Sequence, residues 1–264
     1  MTIGRQVAAV PPQTAPPRFH VDEPIPRDRS GSSLTLPEGV ATHALRVLRL
    51  RLGDAVTLFD GTGGEHRATI VSAERHAAAV RLDAFDPVER EAPAATNLVM
   101  SVIATDPMDF AVRKAVELGV RAVQPVIAAR SQGGASGDRV ERRVAHWRAI
   151  AVAACEQCGR NRVPPVEMPV PLATWLARFV GAAGTAAVLA PGAARSLAAL
   201  AAHALPTHLL VGPEGGFTDD EQAHVARLGI LPVHLGRRVL RAETAALAAL
   251  ATLNAVAGDA RQDA

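Results

Sequence analysis

The segment LLVGPEGGFTDDE, residues 209–221, decides how the second part of this 264-residue chain folds. The apolar run at its start indicates a buried strand, and Thr218 with Glu221 forms a capping box that begins a helix. Three glycines and a proline lie between these elements, so few side chains are available for chemistry. We therefore expect main-chain N–H and C=O groups of this turn to contact a ligand, and Asp219 and Asp220 to complement the helix dipole.

Apolar strands alternate with helices on both sides of this segment. The strand-like runs are NLVMSVIA, AVQPVIAA, TAAVLA, THLLV and ILPVHL, and each is followed by a helical stretch. This alternation predicts an α/β domain with a mostly parallel sheet covered on both faces. Ligands bind beyond the carboxyl ends of such strands, where both the glycine turn (residues 212–216) and the segment LGRRVLRAET (residues 235–244) fall.

The segment 235–244 supplies the charged groups that the glycine turn lacks. Arg237, Arg238 and Arg241 follow the last strand, and Glu243 opens an alanine-rich helix. Together the two loops would form a shallow slot with apolar walls, which suits a flat, adenosine-like ligand. The glycine turn has neither the Lys-Ser/Thr of a P-loop nor the G-x-G-x-x-G spacing of a dinucleotide site, so nucleotide phosphates are not its obvious target.

The first third of the chain has a different pattern. Residues 1–16 are rich in proline and predict a disordered arm, whereas residues 17–90 predict a small β domain. AVTLFDGTGGEHRATIVS is typical of a hairpin, and AVRLDAF of an alternating strand. EGVATHALRVLRL predicts a helix with Arg46 and Arg49 on its outer face and Arg51 just beyond. These arginines form either a phosphate site or an ordinary solvated face.

Composition narrows the functional classes. The net charge is +2, and Lys114 is the only lysine, so nearly all cationic side chains are arginines. Arginine binds phosphate in a bidentate manner and stacks on bases, which favours RNA as a partner, although a coding bias toward Ala and Arg would give the same composition. No apolar run approaches the roughly 20 residues of a membrane helix, and the N-terminal prolines do not fit a secretion signal. We expect a cytoplasmic protein without a membrane segment.

The two cysteines, Cys155 and Cys158, form a C-x-x-C pair. The sequence has no second pair at zinc-finger spacing, and a lone pair cannot close a tetrahedral site. Both cysteines fall on an apolar stripe with Val144 and Trp147, which is typical of the buried face of a helix. We predict structural thiols and no bound metal.

Several motifs resemble one family. GPEGGF followed by LGRRVLRAETAALAAL is similar to the paired signature of the SPOUT-class methyltransferases that methylate N3 of a uridine, uridine 1498 in the usual numbering, in 16S ribosomal RNA. PRFHV, HALRVLRLRLGD and LFDG resemble the PUA-like RNA-binding barrel of that family, and KAVELGV and AACEQCGRNRVPPV resemble its catalytic domain. The similarity runs through nearly the whole chain. Ala242, however, stands where the family commonly has threonine, and TDPM lacks a lysine that often precedes Asp109.

The resemblance implies an α/β protein with a PUA-like β-barrel at 17–90 and a SPOUT methyltransferase domain at 91–264 that contains a trefoil knot. It also implies a homodimer that acts on the small ribosomal subunit, and S-adenosylmethionine (SAM) bound in a bent shape between the two loops. Composition and spacing do not indicate the knot, because chains are rarely threaded through their own loops.

The resemblance and the chemistry of uracil together imply the site residues. Uracil N3 carries a proton, so the reaction needs a base or a cation that stabilises negative charge on O2 and O4. We expect Arg241 to stabilise this charge and Glu243, or else Glu214, to accept the proton or orient the base. The alternative for Glu243 is a carboxylate that only complements a helix N-terminus.

Two further sets of residues are expected to contact ligands. The expected SAM contacts are Leu189, Val211, Gly212, Pro213, Glu214, Gly215, Gly216, Leu235, Gly236, Val239, Leu240, Arg241, Thr244 and Ala245. The expected RNA contacts are Arg18, Arg46, Arg49, Arg51, Lys114, Arg130, Arg160 and Arg162, although the last two also fit an ordinary helix end.

Two other functions stay open at the sequence level. A 2′-O-ribose methyltransferase could use the same knotted architecture, but its third motif usually carries an asparagine-serine type sequence where this chain has RAETAA. A non-catalytic RNA-binding assembly factor would explain the β domain with its arginines, and it would bind RNA without transferring a methyl group.

Overall fold

The structure is a computed structural model that describes residues 15–75, 77–132, 137–179 and 185–258. Residue contacts divide the chain between Val88 and Glu89 into two compact units. The predicted disordered arm falls almost wholly on residues 1–14, which lie outside the described residues. Of the described helices, none is both long enough and apolar enough to span a membrane.

The first unit is a small β structure with one short α-helix. Its elements are β1 (Arg18–His20), β2 (Ser33–Thr35), α1 (Glu38–Thr42), β3 (Ala55–Phe59), β4 (Glu65–Ala73) and β5 (Ala78–Asp86). The strands form one sheet in the order β1-β3-β4-β5-β2. β3 and β4 pair antiparallel, which confirms the predicted hairpin. Val80 and Leu82 of β5 point into the core with Phe19 and Ile70, as the alternating pattern predicts.

The predicted helix over EGVATHALRVLRL is shorter than the sequence pattern indicates. After Thr42 it passes into a π-helical turn, His43–Val47, and Arg49 has a left-handed φ of 57°. Arg46 and Arg49 therefore do not share one outer helical face, and this prediction is wrong. Both side chains, and that of Arg51, are nevertheless exposed.

The second unit contains a six-stranded, wholly parallel sheet, as the alternation of strands and helices predicts. Its strands are β6 (Asn97–Ser101), β7 (Ala122–Ile127), β8 (Val170–Pro171), β9 (Ala186–Leu189), β10 (His208–Val211) and β11 (Leu231–Val233). They lie in the order β11-β9-β10-β6-β7-β8. All five predicted strands are present, whereas the two-residue β8 has no recognisable sequence signal.

The helices of the second unit cover this sheet. They are α2 (Thr105–Glu117), α3 (Asp138–Cys158), α4 (Leu172–Phe179), α5 (Leu197–Ala201), α6 (Asp219–Arg227) and α7 (Ala242–Ala257). The alanine-rich α7 packs against α2 and α5 through small side chains such as Ala246 and Ala249, both fully buried. Val144, Trp147 and Cys155 are buried on α3, which confirms the apolar stripe.

Candidate active site

A cavity of about 940 Å³ opens where β9, β10 and β11 end. The last residues of these strands, Leu189, Val211 and Val233, line it. Because the three strands are parallel neighbours in the sheet, their carboxyl ends lie at the same edge and the loops that follow them converge there. The glycine turn and the arginine loop (residues 234–241), which the sequence places after β10 and β11, both contribute to its wall.

Most of the expected SAM contacts line this cavity. They are Leu189, Val211, Gly212, Pro213, Glu214, Gly216, Leu235, Gly236, Val239, Leu240, Arg241 and Ala245. Gly215 and Thr244 are absent from the lining. Pro107 of α2, Phe217 and His234 also line the cavity, although they are not among the contacts expected from the sequence. The position of His234 directly after a strand was a usable signal, whereas nothing local indicates that Pro107 reaches this site.

Each glycine of the glycine turn has a structural reason: two leave room for a neighbouring side chain, and one adopts a positive φ. A Cβ on Gly212 would lie 3.2 Å from Cε2 of Phe217, so the bare position accommodates an aromatic ring. A Cβ on Gly215 would lie 3.3 Å from Cδ of Arg130. Gly216 has open space around it but a φ of 69°, which side chains disfavour. The glycines thus serve packing and backbone conformation within the protein as well as exposing the main chain.

The glycine turn also leaves main-chain donors available. The N–H of Gly216 donates to the carbonyl of Pro213 at 2.8 Å, which closes a tight turn. Within the described residues, the N–H groups of Glu214 and Gly215 in the middle of that turn make no hydrogen bond. Two adjacent donors, one of them on the cavity-lining residue Glu214, are therefore available to water or a polar ligand atom.

The arginine loop is anchored at its start. The carbonyl of His234 accepts from Leu197 N at 3.0 Å, and its N–H donates to the Arg195 carbonyl at 3.0 Å. The N–H of Gly236 donates to Nδ1 of His234 at 2.9 Å, so a neutral His234 ring carries its proton on Nε2. Beyond Gly236 the loop is exposed, and Val239 keeps 80% of its surface in contact with solvent.

Arg241 and Glu243 lie where the arginine loop becomes α7, and both line the cavity. Arg241 is the N-cap residue, and its carbonyl accepts from Ala245 N at 2.8 Å. Its guanidinium is exposed and makes no hydrogen bond to another described residue. Glu243 is partly buried in the first turn of α7. A cation and a carboxylate therefore border the same cavity as the glycine turn.

Arg160 is buried, which does not fit the exposed basic corner expected at this point of the sequence. Its side chain is 4% exposed, and its guanidinium donates to both carboxylate oxygens of Glu91 and to the carbonyls of Val116 and Val120. A buried guanidinium with four hydrogen bonds to protein acceptors cannot bind a phosphate in a bidentate manner. The exposed basic corner expected after α3 therefore contains Arg162 but not Arg160.

The other predicted RNA contacts differ in exposure. Arg18 forms an ion pair with Glu65 at 2.5 Å, and its side chain is only 13% exposed. Lys114 pairs with Glu117 at 2.8 Å on α2, and Arg162 pairs with Glu89 at 3.0 Å while about half exposed. The remaining candidates, Arg46, Arg49, Arg51 and Arg130, are exposed.

The described residues contain no group of three metal-ligating side chains that could hold an ion. Cys155 is buried, and its thiol donates to the carbonyl of Arg162 at 3.6 Å. The contact joins the end of α3 to the chain that follows it, which is the structural role predicted for this cysteine.

Family models and solved structures of other proteins match this chain over most of its length. The RNA methyltransferase domain family matches residues 90–254, which is more than half of the chain, and the RNA methyltransferase PUA domain family matches residues 36–83. The Ribosomal RNA small subunit methyltransferase E of Mycobacterium bovis is 34% identical over 212 residues, covering 79% of this chain and 80% of that protein.

Two solved structures with a bound cofactor are similar over nearly the whole chain. One is the Ribosomal RNA small subunit methyltransferase E from Neisseria gonorrhoeae bound to S-adenosyl methionine, with 36% identity, a TM-score of 0.83, and coverage of 91% of this chain and 98% of that one. The other, a Legionella pneumophila protein in complex with SAM, has 31% identity, a TM-score of 0.85, and coverage of 92% and 98%. The chain therefore belongs to the RNA methyltransferase family of the ribosomal RNA small subunit methyltransferases E, with a PUA-like N-terminal domain and a SPOUT-class C-terminal domain.

Proposed function

We propose that this protein transfers a methyl group from SAM to N3 of a uridine in 16S ribosomal RNA, uridine 1498 in the usual numbering. The observation that carries the proposal is the cavity at the carboxyl ends of β9, β10 and β11, bordered by the glycine turn on one side and by Arg241 and Glu243 on the other. The relatives named as small-subunit methyltransferases and the two similar SAM complexes support it.

The cavity suits SAM in shape and polarity. Val211, Leu235 and Leu240 supply apolar surface for the adenine ring, and the N–H group of Glu214 is available to its polar edge or ribose. When bound, SAM supplies an activated methyl group on a sulfonium centre. The protein then has to place the uracil N3 in line with that methyl group and exclude water.

Arg241 and Glu243 supply the remaining chemistry. Removal of the N3 proton leaves negative charge on O2 and O4 of uracil, and a guanidinium at the cavity wall stabilises that charge in the transition state. Glu243 accepts the N3 proton, with Glu214 as the other carboxylate on the lining that could do so. A stacked or paired uridine has to swing out of its helix to reach these groups.

The decisive experiment is mass spectrometry of 16S rRNA fragments from cells with and without this protein. We expect one uridine that carries a base methyl group only when the protein is present. A methyl group on the ribose would instead indicate a 2′-O-methyltransferase. An in vitro assay with labelled SAM and small subunits from the deficient cells completes the test, because RNA binding without methyl transfer would indicate an assembly factor.

We also propose that the segment 46–52 of the first unit binds RNA. Arg46, Arg49 and Arg51 are exposed there, and Val47 and Leu52 each expose 67% of their surface. Arginines beside exposed apolar side chains can bind phosphates and pack against unstacked bases. Replacing the three arginines with alanine is expected to weaken RNA binding and to reduce its salt dependence, with a slope smaller by about 3. An unchanged slope in a titration at several salt concentrations would contradict this role.

The quaternary and topological features follow from the family resemblance. We propose a homodimer, a trefoil knot in the second unit, and a cytoplasmic location, where ribosomal RNA is the substrate. Light scattering coupled to size-exclusion chromatography measures the mass directly. A mass close to the 27.5 kDa of one chain would contradict the dimer.

A further inference from the structure

The loop after β7 (residues 128–132, the β7 loop) makes contacts that the methyl-transfer chemistry does not explain. β7 is separated from β10 by β6 in the sheet, and the residues of the β7 loop do not line the cavity. Two of them nevertheless form hydrogen bonds to the glycine turn and to the start of α6. These contacts span 85 and 92 residues of sequence.

The first contact is made by Arg130. Its Nη1 donates to the carbonyl of Gly215 at 2.7 Å, and its aliphatic stem lies against Gly215, where a Cβ would approach Cδ of Arg130 to 3.3 Å. The adjoining N–H of Gly216 donates to Pro213 at 2.8 Å. The carbonyl and the N–H of the planar 215–216 peptide are thus both held, which fixes the orientation of that peptide.

The second contact is made by Glu221. One carboxylate oxygen accepts from Thr218 N at 2.8 Å as part of the capping box, and the other accepts from Ala129 N at 2.8 Å. The sequence predicts the first of these bonds and gives no sign of the second. A single carboxylate therefore joins the β7 loop to the helix that follows the glycine turn.

The β7 loop is itself held in one conformation. Ala128 N donates to Oγ of Ser131 at 3.0 Å, Ser131 N donates to the carbonyl of Ala128 at 3.0 Å, and Gln132 N donates to the carbonyl of Val102 at 3.2 Å. A loop fixed by its own hydrogen bonds can hold the residues that it contacts in one position.

We propose that Arg130 and Glu221 are positioning residues that hold the glycine turn in the conformation that binds SAM, without touching SAM themselves. This role rests on the proposed function, and it replaces the RNA contact that the sequence analysis assigned to Arg130. The main-chain donors at Glu214 and Gly215 belong to the same turn, so their direction depends on the peptide that Arg130 fixes. Pre-organised donors bind a ligand more tightly than donors that must first be ordered.

The test uses the full-length protein and three variants: Arg130→Ala, Arg130→Lys and Arg178→Ala. Lysine retains a cationic donor with similar reach, whereas Arg178 is an exposed arginine of α4 that serves as the matched control for loss of charge. Calorimetry measures the Kd for SAM, and hydrogen exchange measures protection of the Gly216 amide without ligand. Loss of one hydrogen bond is expected to raise the Kd of Arg130→Ala about five- to tenfold and to speed exchange at Gly216.

The outcomes separate this role from other possibilities. Arg130→Lys should recover most of the affinity, and Arg178→Ala should match the wild type in both measurements. An Arg130→Ala variant with unchanged exchange at Gly216 and unchanged SAM affinity, but weaker RNA binding, overturns the inference and restores the RNA contact. If exchange at Gly216 accelerates while even the wild type takes up no SAM, Arg130 still fixes the turn, but the proposed function fails and the link of this contact to SAM binding fails with it.

Glu221→Gln provides a second, independent variant. In glutamine an NH2 group replaces one carboxylate oxygen, so either Thr218 N or Ala129 N would face a donor instead of an acceptor. We expect its SAM affinity to fall to a similar extent. When it is combined with Arg130→Ala, the two effects should be less than additive, because both contacts hold the same turn. Full additivity would show that they act on different parts of the site and would contradict the shared role.

Discussion

The glycine turn and the arginine loop border one cavity but are built in opposite ways. The glycine turn has almost no side chains, and protein contacts fix it from outside: Phe217 packs on Gly212, Arg130 binds Gly215, and Glu221 secures the helix that follows. The arginine loop is anchored at its start through His234 and at its end by Arg241, the N-cap of α7, and it exposes charged side chains between them.

This difference suits the two loops to different ligands. A turn whose geometry is fixed by its neighbours is suited to bind a cofactor of constant shape, because little ordering is needed on binding. A loop with exposed arginines is suited to an anionic substrate that arrives and leaves. Substitutions in the glycine turn should therefore affect SAM affinity, whereas substitutions of the arginines in the arginine loop should affect turnover or RNA affinity.

The largest expected effect is that of Arg241→Ala. Removing the cation that stabilises charge on the uracil oxygens should lower the single-turnover rate about a hundredfold or more, by analogy with the loss of one oxyanion-hole donor. The Kd for SAM should stay near the wild-type value. The rate is measured with labelled SAM and unmethylated small subunits.

Arg241→Lys is the matched variant, since it keeps the charge but loses the planar guanidinium. A rate between those of alanine and the wild type is expected. If Arg241→Ala retained full turnover, Arg241 would not supply the stabilising cation, and the proposed division of roles between the two loops would be wrong.

The next largest effect is expected for the double substitution of Arg237 and Arg238 by alanine. Both side chains are exposed on the arginine loop. Loss of two phosphate contacts should weaken RNA binding about tenfold and reduce the salt slope by about 2. Filter binding at several salt concentrations measures both quantities. Weaker SAM binding with an unchanged salt slope would show that this loop also serves mainly the cofactor.

The smallest effect is expected for Gly216→Ala, which tests the glycine turn by backbone strain alone. Gly216 has a φ of 69° and no neighbour that a Cβ would meet, so the cost arises from conformation and amounts to about 1–2 kcal/mol. We expect a lower Tm and a severalfold higher Kd for SAM.

Gly229→Ala is the control for Gly216→Ala. Gly229 has a φ of 72°, its surroundings are also open, and it lies outside the cavity lining. This variant should lose similar stability, measured by thermal unfolding, and keep wild-type SAM affinity. Equal losses of SAM affinity in both variants would mean that global destabilisation, and not the shape of the turn, controls binding.

The sequence predicts the secondary structure of the second unit well because its signals are local. Five apolar runs become parallel strands, and Thr218 and Glu221 form the capping box that their spacing indicates. The helix at residues 38–50 is the exception. Its apolar spacing fits an α-helix, but the chain changes to a π-helical turn and ends near Arg49, a choice that depends on packing in the β unit.

Whether an individual arginine is buried or exposed could not be predicted from the local sequence. Arg160 and Arg162 stand two residues apart in one basic segment, yet Arg160 is buried against Glu91 and two carbonyls at and just beyond the end of α2, whereas Arg162 is half exposed. Their acceptors come from segments roughly 40 to 70 residues away in the chain. Burial of a charged group depends on whether such partners are brought to it.

The sequence by itself determined the succession of strands and helices along the chain, the site at the carboxyl ends of the last strands, and the residues that could carry the chemistry. The first two follow from patterns within a few residues, since side-chain periodicity and capping act over one or two turns, whereas the third follows from the family resemblance and the chemistry of uracil. The tertiary structure alone decided why Gly212 and Gly215 are glycines, that Arg160 is structural, and that Arg130 holds the glycine turn. The contacts of Arg160 and Arg130 join segments that are 40 to 85 residues apart in sequence, and the order of the strands in the sheet, which brings such segments together, is not encoded in any local pattern.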